Sequence, residues 1–402
     1  MTLPRFTGSF TQQPAIPPAG VAAAMAVLQS GRLHRYNIAP GEDPEAMALE
    51  RDYAAWQGAQ YCLALASGGQ AMQIALRASG VQPGDKVLTN GFTLAPVPGA
   101  IAAVGAKSVL VEITDDLVID LTDLAAKASI SGARHLLLSN MRGHLCDMNA
   151  LMILAKRIGL IVIEDCAHTM GASWAGKKSG NFGLAGCFST QTYKHMNSGE
   201  GGLLTSNDAE FMARAIMLSG SYMLYARHGA APDPALFAEI RLDTPNMSAR
   251  MDNLRAAILR PQLTMLDATI AAWNARHDRV AAALAQHPTI RMAHRPMQER
   301  YVGSSLQFRI PGLSVQSASE FIADLANRGV EVKWFGAAQP VAFTSAHQSW
   351  RYVAAQALPQ TDRILSTLFD MRLPLTFSLT DCDLIAAHIL QAADLLPQSH
   401  VA

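Results

Sequence analysis

Charge is scarce in this 402-residue chain, where only 16% of the residues are Asp, Glu, Lys or Arg. The two signs balance at 32 each, so the formal net charge is zero. Such a balance offers no basic face to nucleic acid or to an anionic membrane, and a small molecule is the expected partner. Cysteine is sparse as well. Cys62, Cys146, Cys166, Cys187 and Cys382 show no C-x-x-C spacing. That excludes a disulfide framework and a zinc site, and it implies reduced, mostly buried thiols in a cytoplasmic protein. Long apolar runs are missing too. The most apolar stretch, "LAPVPGAIAAVGA" from Leu94, is too short and too broken by proline to span a bilayer. The N-terminal "MTLPRFTGSFTQQPAIPPAG" has no charged segment followed by an apolar one, so no signal peptide is expected.

What is present is apolar bulk. Half the residues are hydrophobic, enough for a large buried core, and the length exceeds what one core usually serves. Residues 1–20 read as an irregular arm. Beyond it, "YCLALAS", "GDKVLTN", "KSVLVEI", "HLLLSN" and "LIVIEDC" read as strands, separated by helical stretches such as "GGQAMQIALRAS" and "DMNALMILAKRIG". Nearly continuous apolar strands are covered on both faces, and their alternation with helices predicts a mainly parallel sheet in an α/β layer fold. A large domain over 21–265 is therefore expected. From about residue 266 a long helix, short strands ("SLQFRI", "VEVKWF") and a final helix predict a smaller α+β domain over 266–402.

Three features of the large domain carry chemistry. Ser67-Gly68-Gly69 falls where a strand turns into a helix, and first-turn N–H groups there make an anion site. Alone, the glycines are better explained by turn geometry. Asp165 ends an apolar strand, a costly place for an acid unless it is partnered, capped or paired. His168 follows, and Lys194 comes after "GCFST"; a lysine snorkelling from a strand end is the plain alternative. Together they fit pyridoxal 5′-phosphate. The lysine would bond the cofactor aldehyde as a Schiff base, the carboxylate would keep the pyridine nitrogen protonated, and the helix end would take the phosphate.

From about Gly31 onward the sequence resembles the DegT/DnrJ/EryC1/StrS family of fold-type-I aminotransferases. "SGGQAM" matches the family's phosphate motif, "TNGFTL" its aromatic segment, "VIEDCAHTMGA" its acidic strand end and "FSTQTYKHMNSGEGG" its lysine loop. "SARMDNLRAAILRPQL" and the stretch "LPQTDRILSTLFDMRLPLTFSLTDCDLIAAHI" continue the match in order. The resemblance implies a sheet sandwiched by helices, with a smaller C-terminal domain. It also implies Gly68, Gly69, Gln70 and Ser189 at the phosphate, Phe92 stacked on the ring, Asp165 at the pyridine nitrogen, His168 against the ring, and Lys194 as the covalent lysine. A homodimer with shared sites is implied, the partner chain offering Asn246 or Ser248 to the phosphate.

There are departures. Gly69 stands where the family has a threonine, Ser248 where it has an asparagine, and "NMRG" where it has H-L-Y-G. The last puts Arg142 near the site. "GRLHRYN" and "NMRGHLCDM" resemble the 8-amino-octulosonate transaminase branch, which implies an acidic keto-sugar with Arg142 or Arg250 holding its carboxylate. His144, His195 and Tyr36 are further substrate candidates, though each also reads as scaffold. The implied reaction takes an amino group from glutamate or glutamine to a keto or aldehyde group of a sugar, sugar acid or cyclitol. Another reaction with the same cofactor (decarboxylation, racemisation or carbon–carbon bond formation) and a non-catalytic regulatory protein of the same fold are the alternatives.

Overall fold

The computed structural model describes residues 3–342 and 346–396. Its larger sheet has seven strands: β1 (Tyr61–Leu65), β2 (Lys86–Asn90), β3 (Lys107–Val111), β4 (His135–Ser139), β5 (Ile161–Asp165), β6 (Ala185–Ser189) and β7 (Gly202–Ser206). They lie in the order β1-β7-β6-β5-β4-β2-β3. β7 runs antiparallel to both neighbours, while the other six share one direction. Every residue of β4 and of β7 is buried, as strands with a helical layer on each face require.

The helices start and stop on local signals. Gly68–Ala78 is capped by Ser67, whose Oγ accepts the Gln70 N–H. It buries Ala71, Met72, Ile74, Ala75 and Leu76, one apolar face at helical spacing. Met148–Ile158 begins at Asp147, whose side chain accepts the Ala150 N–H, and ends at Gly159 in the left-handed conformation.

Beyond the large sheet, Arg291–Met292, Ser305–Arg309, Leu368–Arg372 and Lys333–Trp334 form an antiparallel sheet in that spatial order. Helices Val315–Asn327 and Leu379–Asp394 supply much of its core. "VEVKWF" yields only the two-residue strand Lys333–Trp334, and Leu368–Arg372, hidden in "LFDMRLP", lies centrally in the sheet.

Two boundaries differ from the expected ones. The helix expected from 266 begins at Asn253 and runs unbroken to Leu284. Its first half buries Ala256, Leu259 and Leu263 in the large core, and Val280 and Leu284 enter the small one. It is a shared strut, so no linker falls at 265/266. The arm is not separate either. Phe6 and Phe10 pack edge-on against Phe377 in the small core, and Phe6 N–H donates to Arg328 O at 2.9 Å. A helix, Pro18–Ser30, has already begun by residue 20.

Candidate active site

The carboxyl ends of β1, β4, β5 and β6 meet along one edge, the place where open α/β sheets bind ligands. The register sets Ser139 beside Asp165, and Ser189 beside Gly202, whose other neighbour is Leu65 of β1. From β1 the chain passes through Ser67 into helix Gly68–Ala78. That helix start is seated by glycines. A Cβ on Gly68 would lie 2.8 Å from Ser189 Cβ, and one on Gly202 would lie 2.6 Å from Gly68 N and overlap the Ser67 carbonyl. Only bare backbone lets the helix end approach β6 and β7 this closely.

Lys194 is not a strand-end residue. It sits in the loop after β6, which is closed by Thr190 N–H to Gly201 O at 2.9 Å, Ser198 N–H to Thr190 O at 2.9 Å and Lys194 N–H to Gln191 O at 2.8 Å. The loop carries Lys194 to the wall of a cavity of about 400 Å³, together with Gly68, Gly69, Asp165, His168 and Ser189.

Lys194 Nζ lies 2.8 Å from His168 Nε2. His168 Nδ1 accepts the Arg142 backbone N–H at 3.4 Å. A neutral imidazole that accepts at Nδ1 carries its proton on Nε2, so Nε2–H donates to Lys194 Nζ, and the amine must be neutral to accept. The electrostatics agree. Desolvation brings the Lys194 ammonium down to about 7; Asp165 pulls the other way, and Arg142 and Arg372 add to the fall. Desolvation, then Lys194 and Arg142, keep His168 far below its usual value and therefore neutral.

Asp165 is held in place from its own surroundings. Its Oδ1 accepts the Ala167 N–H at 3.1 Å, and its Oδ2 accepts Ser139 Oγ at 3.4 Å, which is itself held by Thr93 Oγ1 at 2.7 Å. Burial raises its affinity for a proton, against the pull of the Ala167 N–H, Lys194 and Ser139. The neighbouring acid, Glu164, has a structural task. It accepts the N–H groups of Gly180, Phe182 and Gly183 at 2.8, 2.7 and 2.9 Å.

A neutral lysine, a buried carboxylate and a seated helix N-terminus around one cavity form the constellation expected from the sequence. A model of the DegT/DnrJ/EryC1/StrS aminotransferase family matches residues 21–389. The chain belongs to that family. It is 34% identical, over 54% of its length and 56% of the relative's, to a pleiotropic regulatory protein of Geobacillus stearothermophilus. It is 35% identical, over 57% of its length and 60% of the relative's, to a UDP-2-acetamido-2-deoxy-3-oxo-D-glucuronate aminotransferase of Pseudomonas aeruginosa. The matches therefore span less than two thirds of these relatives. The fold resembles the aminotransferase of Psychrobacter cryohalolentis with a TM-score of 0.82, covering 96% of this chain and all of that one at 21% identity.

The residues present fit the family's cofactor, pyridoxal phosphate. Lys194 offers a neutral amine, Asp165 a buried anion for a protonated ring nitrogen, and Gly68, Gly69 and Ser189 donors for a phosphate. The Gln70 N–H is spent on Ser67 Oγ, and its side chain does not reach the cavity wall. At Gly69, where the family threonine is missing, a Cβ would meet only Ser67 Oγ, at 3.7 Å. The position is open.

Phe92 corrects an expectation. It is buried against Phe335, with ring centroids 5.0 Å apart, and is absent from the cavity wall. Leu94 stands there instead. In "TNGFTL" two apolar residues alternate; the first turns into the core and the second faces the cavity. The remaining candidates are likewise off this chain's cavity wall. His144 Nε2 is bound to Gln307 Oε1 at 2.9 Å, and His195 Nε2 to Ser304 Oγ at 3.1 Å, with its ring edge-on to Trp273. Both are scaffold here. Tyr36 OH bonds His228 Nε2 at 2.8 Å, beside the buried Arg35–Glu50 ion pair. Arg250 donates to Gly220 O at 2.9 Å, and Asn246 Oδ1 accepts the N–H of Ser248, whose φ is 53°.

Arg142, in contrast, does line the cavity. So do residues the sequence reading passed over: Ser139 next to Asp165, Gln13 from the arm, Tyr193, and Arg372. A signal for the last exists in "LFDMRLP", where Asp370 and Arg372 alternate inside an apolar run.

Proposed function

We propose that this protein is a pyridoxal-phosphate-dependent aminotransferase, taking an amino group from glutamate or glutamine to a keto or aldehyde group of a sugar, sugar acid or cyclitol. The observation that carries the reading is Lys194 Nζ on the cavity wall, 2.8 Å from His168 Nε2, where desolvation brings its proton affinity down to about 7 within the field of Asp165. The cofactor, when bound, supplies an aldehyde that takes up an amine and a ring that draws electrons from the attached carbon.

The chain supplies the rest. Gly68 and Gly69 N–H groups and Ser189 Oγ bind the phosphate. Asp165, anchored by Ser139 and Ala167, keeps a ring proton in place. Lys194 Nζ, with its affinity near neutrality, accepts a proton and returns it, as an acid–base group at pH 7 must. His168 Nε2–H orients that amine. Leu94, Met72 and Val97 give the cavity an apolar side that limits water.

The proposed working unit is a cytoplasmic homodimer. Five free, buried thiols support a reducing compartment. Exposed Tyr222 and Met223, both at positive φ, and the nearby segment holding Asn246 and Ser248 support an interface that reaches a partner's cavity. Among the described residues no helix is long and apolar enough to cross a membrane. The name of the Geobacillus relative supports a second reading, a regulator without catalysis. Against it stands a desolvated amine, whose burial cost a purely structural protein has no need to bear.

The test is spectroscopic. Protein loaded with pyridoxal phosphate should show a visible absorption band that glutamate or glutamine removes and that a keto-sugar, keto-sugar acid or cyclitol ketone restores. A loaded protein whose band no amino donor removes would support the regulatory reading instead.

A further inference from the structure

We propose that a second cavity binds a hydroxylated amine, of the class of an aminated sugar or cyclitol. It has a volume of about 360 Å³ and shares no wall residue with the Lys194 cavity. Two residues apart after β4, Arg142 lines the first cavity and His144 the second. The ligand class is read from the walls of this second cavity. It coincides with the product class of the proposed reaction but does not rest on that reading.

Two of its wall residues, His144 and Trp174, are each only 5% exposed, and each keeps a polar atom without a partner among the described residues. Gln307 Nε2 donates to Asp370 Oδ1 at 2.8 Å, which fixes the amide with Oε1 toward His144. His144 Nε2, 2.9 Å from that oxygen, must therefore donate, and Arg295 Nη2 is the more distant neighbour at 3.5 Å. Desolvation, then Arg295, hold the imidazole well below its usual proton affinity, so it is neutral. Its Nδ1 is thus a bare acceptor on the cavity wall. Trp174 Nε1–H is a bare donor. Buried polar atoms of this kind are rarely left unmade.

The wall also carries Asp116, Asp147 and Glu299, and no Lys or Arg. Each acid spends one oxygen on the chain. Asp116 Oδ1 accepts the His294 N–H at 3.0 Å, and Asp147 Oδ1 accepts the Ala150 N–H at 2.9 Å. Glu299 Oε1 accepts the Leu145 N–H at 3.0 Å and Arg295 Nη1 at 2.8 Å. An ammonium answers these acids and can donate to His144 Nδ1, but it has no lone pair for the Trp174 N–H. A hydroxyl has one. A ligand that joins an ammonium to hydroxyls therefore satisfies the charge, the bare acceptor and the bare donor together. A metal ion would leave the indole N–H unmet, and no group of His, Cys, Asp and Glu among the described residues could hold one.

The test titrates the cofactor-loaded protein by calorimetry with glucosamine, glucose and ethylamine. Glucosamine should bind in a single saturable event. Glucose lacks the charge and ethylamine the hydroxyls, so each should bind about tenfold or more weakly. The double variant Asp116→Asn, Asp147→Asn keeps both accepting oxygens and removes two charges. Its glucosamine affinity should fall on the order of 10-fold, with that for glucose unchanged. Trp174→Phe removes only the N–H and should weaken glucosamine and glucose alike, by about 2- to 10-fold. Lys194→Ala should bind glucosamine as the wild type does. Unchanged glucosamine affinity in both the double variant and Trp174→Phe would overturn the proposal. So would loss of binding in Lys194→Ala, which would place the amine in the other cavity. A protein that binds glucosamine as described, but whose visible band no amino donor removes, would sink the aminotransferase reading alone.

Discussion

Three glycines at the phosphate end of the cavity should respond differently to one added methyl group. On Gly68 a Cβ would stand 2.8 Å from Ser189 Cβ, 3.2 Å from Ser189 Cα and 3.3 Å from Phe188 O. Ordinary carbon contacts lie at about 3.5–4.0 Å, so helix Gly68–Ala78 must retreat from β6 by about 1 Å. Overpacking of that size costs about 1–3 kcal/mol. A helix end misplaced by about 1 Å should also weaken cofactor binding, on the order of 100-fold where geometry is as strict as in catalysis. On Gly202 the new atom would strike the Ser67 carbonyl and Gly68 N, all backbone, and Gly202→Ala should be worse still. On Gly69 it meets only Ser67 Oγ at 3.7 Å, and Gly69→Ala should be neutral or stabilising by roughly 0.5–1 kcal/mol. Urea midpoints and pyridoxal phosphate titrations of the three variants measure both effects. The open position makes a further claim: Gly69→Thr should bind the cofactor several-fold tighter by adding a hydroxyl donor. If Gly69→Ala proves as damaging as Gly68→Ala, the seating of the helix end is wrongly understood.

Other perturbations address the charges. With Lys194 near 7, its amine is neutral above that pH and protonated below it; acylation of Lys194 in the unloaded protein, followed by peptide mass analysis, should fall about tenfold per unit beneath pH 7. His168→Phe removes the Nε2–H that favours the neutral amine, so the midpoint should rise by about 0.4–1 unit, the equivalent of a neutral hydrogen bond of about 0.5–1.5 kcal/mol. Asp165→Asn should keep the visible band and lower turnover at least about 100-fold, read in the donor half-reaction. Glu164→Ala leaves the N–H groups of Gly180, Phe182 and Gly183 without their acceptor and should cost about 3–5 kcal/mol in urea unfolding, with Glu164→Gln recovering a part.

Much of this was legible in the chain, for reasons that can be given residue by residue. Buried parallel strands advertise themselves as apolar runs, so "HLLLSN" and "LIVIEDC" gave β4 and β5, and the acid ending the second gave Asp165. Ser67 before two glycines gave a capped helix start. The strand Leu368–Arg372 was harder, because Asp370, buried against Gln307, and Arg372, on the cavity wall, interrupt its apolar pattern. Phe92 misled because a strand exit alternates its faces, and only the backbone path shows that Leu94 takes the wall. The arm looked free because Phe6 and Phe10 find their partner, Phe377, at the far end of the sequence. His144 and His195 have sequence neighbours in the site but spend their ring nitrogens on Gln307 and Ser304, contacts no local pattern announces.

One measurement addresses the centre of the account. The protein is loaded with pyridoxal phosphate, reduced with borohydride, digested and mapped by mass spectrometry. A single reduced cofactor group on the peptide bearing Lys194, absent after Lys194→Ala, is the predicted result. A cofactor group on a different lysine, or none on a protein that is folded and saturated with pyridoxal phosphate, would contradict it.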